Sequence, residues 1–539
     1  MNLYNFILTF IIYTILLKPV CLADNQISHG NQSFIKCETP IILEHYLTGA
    51  GKITAARLIN GEPADTLLPA QTVSTEGHFR AHYAESGFHA PDTADLNSNG
   101  IPDFVDSTLI YLEYAYDLII NELGYDPPLY DNGAGGGNEI DVYLKNYGHG
   151  GYGATYPENT VDGSSSAYIV IDNDFSEDQY ATKGYDALRV TTAHEFFHTV
   201  QFRYYTNYSL IWWMENSSVW MEERVWDDVN DYLAYLNYFF NSKTTSLNTN
   251  VGNYMYGSAI WAMYLAKRYG DDIIKQIWKY ISETKTVDIA SFDNVIPDGL
   301  PAAFNEFAVW NYFTNYRANT DDFYPDSDMF PYTMEMDITK HAFPVVDSLG
   351  TNHLTSRYVE FLFLTDWSDN NALKIELLPR ENSTLANSIL FFNNPYDYRI
   401  HTVKPEGETI PLVKPWGRAV MITSCTNTSG EGFRYVFNAD YTISTRMENE
   451  PLYAFVLHGT YPNPFNPSTT ITFTLSEPCH VLVRVFNIHG QHVAELFDGE
   501  LGAGEKRMLW KPSGIAGGIY FLTVTTPSGS LTKKMLYMK

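Results

Sequence analysis

The residues His194-Glu195-Phe196-Phe197-His198 decide the fold predicted for this chain. They lie in a segment of helical character, 186–202, and positions i and i+4 of a helix share one face. Two imidazoles on one face can bind a single zinc ion. Glu195, one step around the helix, can then reach a zinc-bound water and act as its general base. A glutamate beside two phenylalanines would be costly to bury without a metal or a partner.

A second helical segment, 210–226, supplies the remaining ligand of the predicted zinc site. Glu215 follows His198 by 17 positions, and Glu222 lies on the same helix face as Glu215. A single histidine or glutamate is ordinarily a core or solvated residue, but the combination favours a metal site. The predicted zinc ligands are His194, His198 and Glu215.

These residues resemble the gluzincin metallopeptidases, in which two motif histidines and a glutamate on a following helix bind zinc. The segment Trp213-Met214-Glu215-Asn216-Ser217-Ser218-Val219-Trp220-Met221-Glu222 is similar to the corresponding helix of the aminopeptidase-like branch, which implies that Glu222 orients a ligand. Metzincins are disfavoured, since Tyr204 and Gln201 stand where their third histidine and their glycine would fall. The resemblance implies peptide hydrolysis, with Glu195 accepting the proton of the attacking water.

The segment Asn253 to Leu265 resembles the part of the same branch in which a tyrosine before a glycine stabilises the tetrahedral intermediate. Tyr254 occupies that place and is the predicted catalytic tyrosine, with Tyr256 as the alternative. The Gly-x-Met-Glu-Asn stretch with which aminopeptidases grip a free amino end is not found, so endopeptidase action on a protein or peptide is favoured. By analogy with zincin edge strands, we expect the strand 168–171 to hold an extended peptide.

Residues 95–106 have the spacing of a calcium-binding loop. Oxygen ligands stand at alternating positions, Gly100 takes the sharp turn, and Asp106 replaces the usual bidentate glutamate. The alternative is a polar turn before the helix 105–123. The predicted calcium ligands are Asp95, Asn97, Asn99, the carbonyl of Ile101, Asp103 and Asp106.

The charge and the cysteine content restrict the partners of the chain. The net charge is −29, from 63 acidic and 34 basic residues, which disfavours nucleic acids and anionic membranes. No segment beyond the N-terminus approaches the length of a membrane span. After removal of a signal peptide, Cys37, Cys425 and Cys479 remain, which do not form a disulfide framework.

The C-terminal unit resembles the type A sorting domain of the type IX secretion system. Its markers are Tyr461-Pro462-Asn463-Pro464-Phe465-Asn466-Pro467, Val485-Phe486-Asn487, Gly518-Ile519-Tyr520 and Lys533-Lys534. The resemblance implies export through the periplasm and outer membrane to the cell surface or medium, with the type IX machinery as a partner.

The predicted architecture is α+β, with a zincin-like metallopeptidase domain followed by all-β sandwich domains. The predicted divisions are a signal peptide at 1–23, an N-terminal segment or pro-region at 24–85, the catalytic domain at 86–320, a β-sandwich at 321–450 and the sorting domain at 455–539.

The order of calcium-type loop, zinc motif and β-rich tail resembles the MXAN-type family of secreted bacterial metalloproteases. The leading hypothesis is therefore a secreted zinc endopeptidase. Its competitor is a non-catalytic, calcium-binding surface or adhesion protein with a vestigial zincin fold. Hydrolysis of a non-peptide substrate is a third hypothesis, because a fold does not determine a substrate.

Overall fold

The computed structural model of the chain forms two compact units, residues 1–443 and 444–539. The predicted signal peptide, 1–23, lies outside the described residues. The structure describes residues 36–48, 58–59, 62–63, 67–147, 151–176, 180–332, 337–340, 343–363, 371–394, 397–412, 416–443, 455–475, 478–488, 490–527 and 529–539.

A five-stranded sheet organises the N-terminal part of the first unit. Its order is β3-β4-β5-β7-β6, in which β4, β5 and β7 run parallel and the two outer strands run antiparallel to their neighbours. The strands are β1 Leu58–Ile59, β2 Glu62–Pro63, β3 Ala70–Val73, β4 Phe79–Tyr83, β5 Ile140–Lys145, β6 Gly153–Val161 and β7 Ser164–Asp172, with β1 and β2 forming a separate pair.

The prediction that strand 168–171 receives an extended peptide is wrong. These residues lie in β7, which pairs with β5 on one side and with β6 on the other, so its backbone groups are used within the sheet. The outer position belongs to β6. A hairpin turn at Asp162-Gly163, where both residues have positive φ, joins the two strands.

The helices pack on this sheet and on one another. Helix α3 is buried along almost its whole length, because it lies against β7 and the following helix α4. The helices are α1 Thr39–Thr48, α2 Asp103–Tyr116, α3 Gly184–Tyr204, α4 Ile211–Val225, α5 Leu236–Phe240, α6 Tyr254–Gly257, α7 Ile260–Tyr269, α8 Asp272–Thr284 and α9 Leu300–Tyr312.

Two sheets complete the first unit, in the orders β13-β12-β15-β10-β8 and β14-β11-β16-β9. Helix α9 packs on the first of them, where Asn305 Nδ2 donates to Ser388 Oγ at 2.6 Å and the Tyr358 hydroxyl donates to the Ala308 carbonyl at 2.9 Å. The strands are β8 Ile338–Lys340, β9 Val345–Thr351, β10 Thr355–Leu362, β11 Asn371–Arg380, β12 Leu385–Asn394, β13 Asp397–Val403, β14 Gly407–Pro411, β15 Arg418–Cys425 and β16 Phe433–Ile443.

The second unit consists of two antiparallel sheets, β17-β18-β21 and β20-β19-β22-β23, around a core of its own. Strand β18 buries every second residue, which is the pattern of a sheet with one face toward the core. The mixed helix-and-strand architecture followed by β-sheets is therefore confirmed in outline. The strands are β17 Phe455–Tyr461, β18 Thr469–Leu475, β19 Cys479–Asn487, β20 His492–Leu501, β21 Gly504–Trp510, β22 Gly518–Thr526 and β23 Gly529–Tyr537.

Truncation of a side chain under α3 tests the core of this sheet. Ile169→Ala is expected to lower the free energy of unfolding by about 2–5 kcal/mol, because the buried side chain leaves a cavity. The free energy of unfolding is measured by urea denaturation, with tryptophan fluorescence as the signal. Val161, at the end of β6, is 68% exposed, and Val161→Ala is the matched control, with an expected change within about 0.5 kcal/mol. Equal losses in both variants would contradict this packing.

Candidate metal centre

Helices α3 and α4 bring the three predicted zinc ligands together. His194 Nε2 lies 3.1 Å from His198 Nε2. Glu215 Oε2 lies 3.2 Å from His194 Nε2, and Glu215 Oε1 lies 3.3 Å from His198 Nε2. All three side chains are buried. Nitrogen and oxygen ligands at the corners of a tetrahedral zinc site lie about 3.3 Å apart, so these separations fit the ion.

The outer nitrogen of each imidazole is held by a hydrogen-bond acceptor. His194 Nδ1 lies 2.6 Å from Glu222 Oε1, and His198 Nδ1 lies 2.7 Å from Gln201 Oε1. Gln201 Nε2 donates to the Met214 carbonyl at 3.0 Å, which leaves its amide oxygen to face the imidazole. Each Nδ1 must therefore donate, and in a neutral imidazole the lone pair is then on Nε2.

When both imidazoles are neutral, their lone pairs and those of the carboxylate thus point at one place. Neither Glu215 oxygen accepts a well-directed hydrogen bond from the described residues. Burial lowers the pKa of His194, but Glu215 and Glu222 outweigh it and raise the pKa to about 10. Burial raises the pKa of Glu215, but His198 and His194 outweigh it and lower the pKa to about 2. Both shifts show a cluster that favours positive charge, and the chemistry of the donors therefore fits a zinc ion.

A fourth donor, Cys37, joins this cluster and was not predicted as a ligand. Its Sγ lies 3.5 Å from His198 Nε2, and the four donor atoms lie within 4.8 Å of one another. A sulfur and a nitrogen ligand of tetrahedral zinc lie about 3.6 Å apart. In the described part of the chain, this is the one group of three or more His, Cys, Asp or Glu side chains with such a geometry. No spacing rule connects Cys37 with a residue 161 positions away.

Glu195 lies beside the cluster and is oriented by the first residues of β6. The Thr155 hydroxyl donates to Glu195 Oε2 at 2.7 Å. Strand and helix approach closely here: a Cβ at Gly153 would lie 2.9 Å from the Val170 carbonyl oxygen and 3.0 Å from Glu195 Cγ. A glycine at this position therefore allows β6 to reach the glutamate.

The two candidate tyrosines differ in what they contact. The hydroxyl of Tyr254 donates to the Thr245 carbonyl at 2.9 Å, outside the donor cluster. The hydroxyl of Tyr256 accepts from the backbone N–H of Cys37 at 3.2 Å and donates to its carbonyl at 3.1 Å. Burial and the charge of Glu215 raise the pKa of Tyr256 well above its ordinary value. Of the two hydroxyls, that of Tyr256 contacts a residue of the donor cluster, and a catalytic role for Tyr254 or Tyr256 stays a prediction.

In the predicted loop 95–106, residues 96–100 are exposed, residues 103–106 form the first turn of α2, and hydrogen bonds within the segment close it. Asn97 Nδ2 and Asn99 Nδ2 donate to Asp106 Oδ2 at 2.9 and 2.8 Å, and Gly100 has the positive φ that the turn requires. Asp95 accepts from the backbone N–H of Gly100, while Asp103 accepts from that of Leu96. The carboxylates of the loop do not form a cluster like that around His194. Calcium binding at Asp95, Asn97, Asn99, Ile101, Asp103 and Asp106 stays a prediction.

Comparison with protein families divides the chain in two. Residues 85–292 match a family of unknown function (DUF6055), and these residues contain the two histidines and Glu215 but not Cys37. Residues 459–538 match the secretion system C-terminal sorting domain. The chain therefore carries a type IX sorting domain, which confirms the predicted export and the secretion machinery as a partner. Among the described residues, no helix is long and apolar enough to span a membrane.

Comparisons with individual proteins are less informative. No curated protein matches the chain in sequence. A glycoside hydrolase domain, Endo-D, from Streptococcus pneumoniae R6 is 8% identical, with 35% of this chain and 32% of that chain covered and a TM-score of 0.14. A GH2 beta-galacturonidase from Eisenbergiella tayi is 12% identical, with 36% of each chain covered and a TM-score of 0.16. The chain spans about a third of their length. Likenesses at these TM-scores support no inference about fold or activity.

Replacement of the carboxylate behind His194 tests the metal centre. Glu222→Gln is expected to weaken zinc binding about 10- to 100-fold, because a neutral amide replaces the charged acceptor that orients the imidazole. The zinc affinity of each variant is measured by competition with a chromogenic chelator. Glu223→Gln is the control: burial and the charge of Glu222 raise the pKa of Glu223 to about 9, so a neutral group replaces a neutral group at neutral pH. Equal weakening in both variants would contradict an orienting role for Glu222.

Proposed function

We propose that this exported protein is a zinc-dependent endopeptidase of the gluzincin type. One observation carries the proposal: acceptor atoms of His194, His198 and Glu215 converge in a buried space, with the carboxylate of Glu195 beside them. A buried set of acceptors without a cation is unfavourable, and this donor set is one that zinc prefers. The zincin-like assignment of residues 86–320 belongs to the same proposal.

The roles of the residues follow from their positions. His194, His198 and Glu215 would hold the zinc ion, which would supply Lewis acidity. Glu195, oriented by Thr155, accepts a proton from the attacking water and delivers it to the amine that leaves. Glu222 keeps the imidazole of His194 in the tautomer that presents Nε2 to the cluster.

The substrate contacts come from β6 and from α6. The backbone of β6 offers the outer edge of the sheet to an extended protein or peptide segment. The hydroxyl of Tyr256, which contacts the backbone of Cys37, would donate to the oxyanion that forms at the carbonyl. Calcium at the loop 95–106 is proposed as a structural ion and has no part in these steps.

A second candidate function has one specific observation in its favour. Cys37 adds a fourth protein donor, and zinc sites with four protein ligands are typically structural, whereas catalytic sites keep one position open. A non-catalytic surface or adhesion protein with a vestigial zincin fold would have such a closed site. The two functions differ in whether Glu195 has a chemical role.

The test compares the wild type with Glu195→Gln, in which an amide of nearly the same shape replaces the carboxylate. Wild type and Glu195→Gln are each prepared with native Cys37 and with Cys37→Ser, because the thiol fills the fourth position. All four proteins are expected to hold one zinc by mass spectrometry. The rate of casein hydrolysis is expected to fall about 100- to 10,000-fold in Glu195→Gln, because general acid–base catalysis typically contributes a rate factor of this size.

Each outcome separates the two functions. Hydrolysis that depends on Glu195 in either cysteine background supports the peptidase. Turnover that is absent or unchanged by Glu195→Gln in both backgrounds contradicts it and favours the adhesion protein. Zinc-free wild type would contradict both the peptidase and a structural zinc site.

A further inference from the structure

We propose that residues 36–39 hold this protein in a latent form, in which Cys37 takes the fourth place around the metal and its neighbours occupy the edge of β6 where a substrate would bind. The inference rests on the proposed function. It concerns a segment outside the residues that match the family of unknown function, which begin at residue 85. Four consecutive side chains or backbone groups carry it, and each contacts a different part of the candidate catalytic machinery.

The thiol completes the donor set. Sγ of Cys37 lies 3.5 Å from His198 Nε2, the separation that tetrahedral zinc would give a sulfur and a nitrogen ligand. The side chain is 1% exposed, so water does not compete for this place from outside. A sulfur atom and not a peptide carbonyl lies at the donors, and the segment is therefore bound as an inhibitor and not as a substrate.

The backbone of the segment occupies the outer edge of the sheet. The backbone N–H of Tyr152 donates to the Lys36 carbonyl at 2.9 Å, and the N–H of Glu38 donates to the Gly153 carbonyl at 3.0 Å. Cys37 thereby forms a parallel bridge with Gly153 at the start of β6. An extended substrate would need these same backbone groups.

The general base and the tyrosine are engaged as well. The Thr39 hydroxyl accepts from the backbone N–H of Thr155 at 2.8 Å and lies 3.4 Å from Glu195 Oε2. The hydroxyl of Tyr256 is bound to both backbone groups of Cys37. In this arrangement the segment contacts both the general base and the tyrosine.

Lys36 anchors the segment through a buried charge. Its ammonium contacts Glu222 Oε2 at 2.7 Å and also contacts Asp231. Asp231 accepts in addition from the Thr182 hydroxyl at 2.6 Å. Glu222 is the carboxylate that holds His194, so the anchor of the segment and the metal centre share one side chain.

Release of the segment removes no strand of the five-stranded sheet, but it withdraws Cys37 and Leu43 from the core that the sheet shares with the helices. The first strand of the central sheet, β3, begins at Ala70, well beyond α1, which ends at Thr48. Residues 36–48 can therefore leave without removing a strand. The predicted pro-region 24–85 is too long for this purpose, since it includes β4, whose Phe79 and Ala81 are fully buried.

The first measurement asks whether the thiolate binds the metal, using the full chain loaded with Co²⁺ in place of zinc. A thiolate ligand gives cobalt a near-ultraviolet charge-transfer band that histidine and carboxylate ligands do not give. Wild type is expected to show the band, and Cys37→Ser is expected to lose it while keeping the visible cobalt bands. Cys425→Ser is the matched control, because Cys425 is a buried thiol in β15 and should leave the spectrum unchanged.

The second measurement is casein hydrolysis by the zinc-loaded forms of the same three proteins. If the open form makes up about 1% of the wild-type chain, Cys37→Ser raises turnover about 100-fold. Cys425→Ser should match wild type. Serine preserves the size of the side chain and its hydrogen bonds, so a circular dichroism spectrum equal to that of wild type is expected.

The outcomes separate this inference from the proposed function. Wild type without the charge-transfer band, or Cys37→Ser with wild-type turnover, overturns latency, while hydrolysis dependent on Glu195 would still establish the peptidase. The band together with no Glu195-dependent hydrolysis by Cys37→Ser overturns both and identifies a closed structural site. The band in wild type together with the gain of activity in Cys37→Ser alone supports latency.

Discussion

Lone pairs that converge in a space closed to water are the constraint on which the site depends. The acceptor atoms of His194, His198 and Glu215 face one another. Glu222 and Gln201 accept hydrogen bonds from the Nδ1 atoms of the two imidazoles and so fix the tautomer of each neutral ring. Such an arrangement is unfavourable unless positive charge enters it. The surrounding structure supports it by rigidity, since α3 is buried between the sheet and α4 and its side chains have little freedom.

Local periodicity was sufficient to place the centre of the site. The i, i+4 spacing of the histidines and the face shared by Glu215 and Glu222 are properties of single helices, which sequence reveals directly. The second sheet unit was also predictable, because strands such as β18 alternate between buried and exposed residues.

The relations that the sequence did not reveal are ones that no single helix or strand contains. Whether β7 lies inside or at the edge of the sheet depends on a hairpin at Asp162-Gly163, whose turn residues are common throughout this chain. Tyr254 and Tyr256 belong to one short helical turn, so the direction of each hydroxyl is decided by tertiary contacts. Cys37 reaches the histidines only through the folding of a distant segment onto β6.

The shared side chain Glu222 has a thermodynamic consequence for the proposed latent form, because it contacts both Lys36 of the segment and His194 of the donor cluster. Binding of the metal and docking of the segment are thermodynamically linked. If Cys37 and Lys36 raise the affinity of the site for the metal, the metal must stabilise the docked segment by the same free energy. A competitor that extracts zinc would loosen the segment, but it would expose a site without its ion. Under the proposed chemistry, removal of zinc therefore releases the segment only from molecules that can no longer hydrolyse a peptide bond.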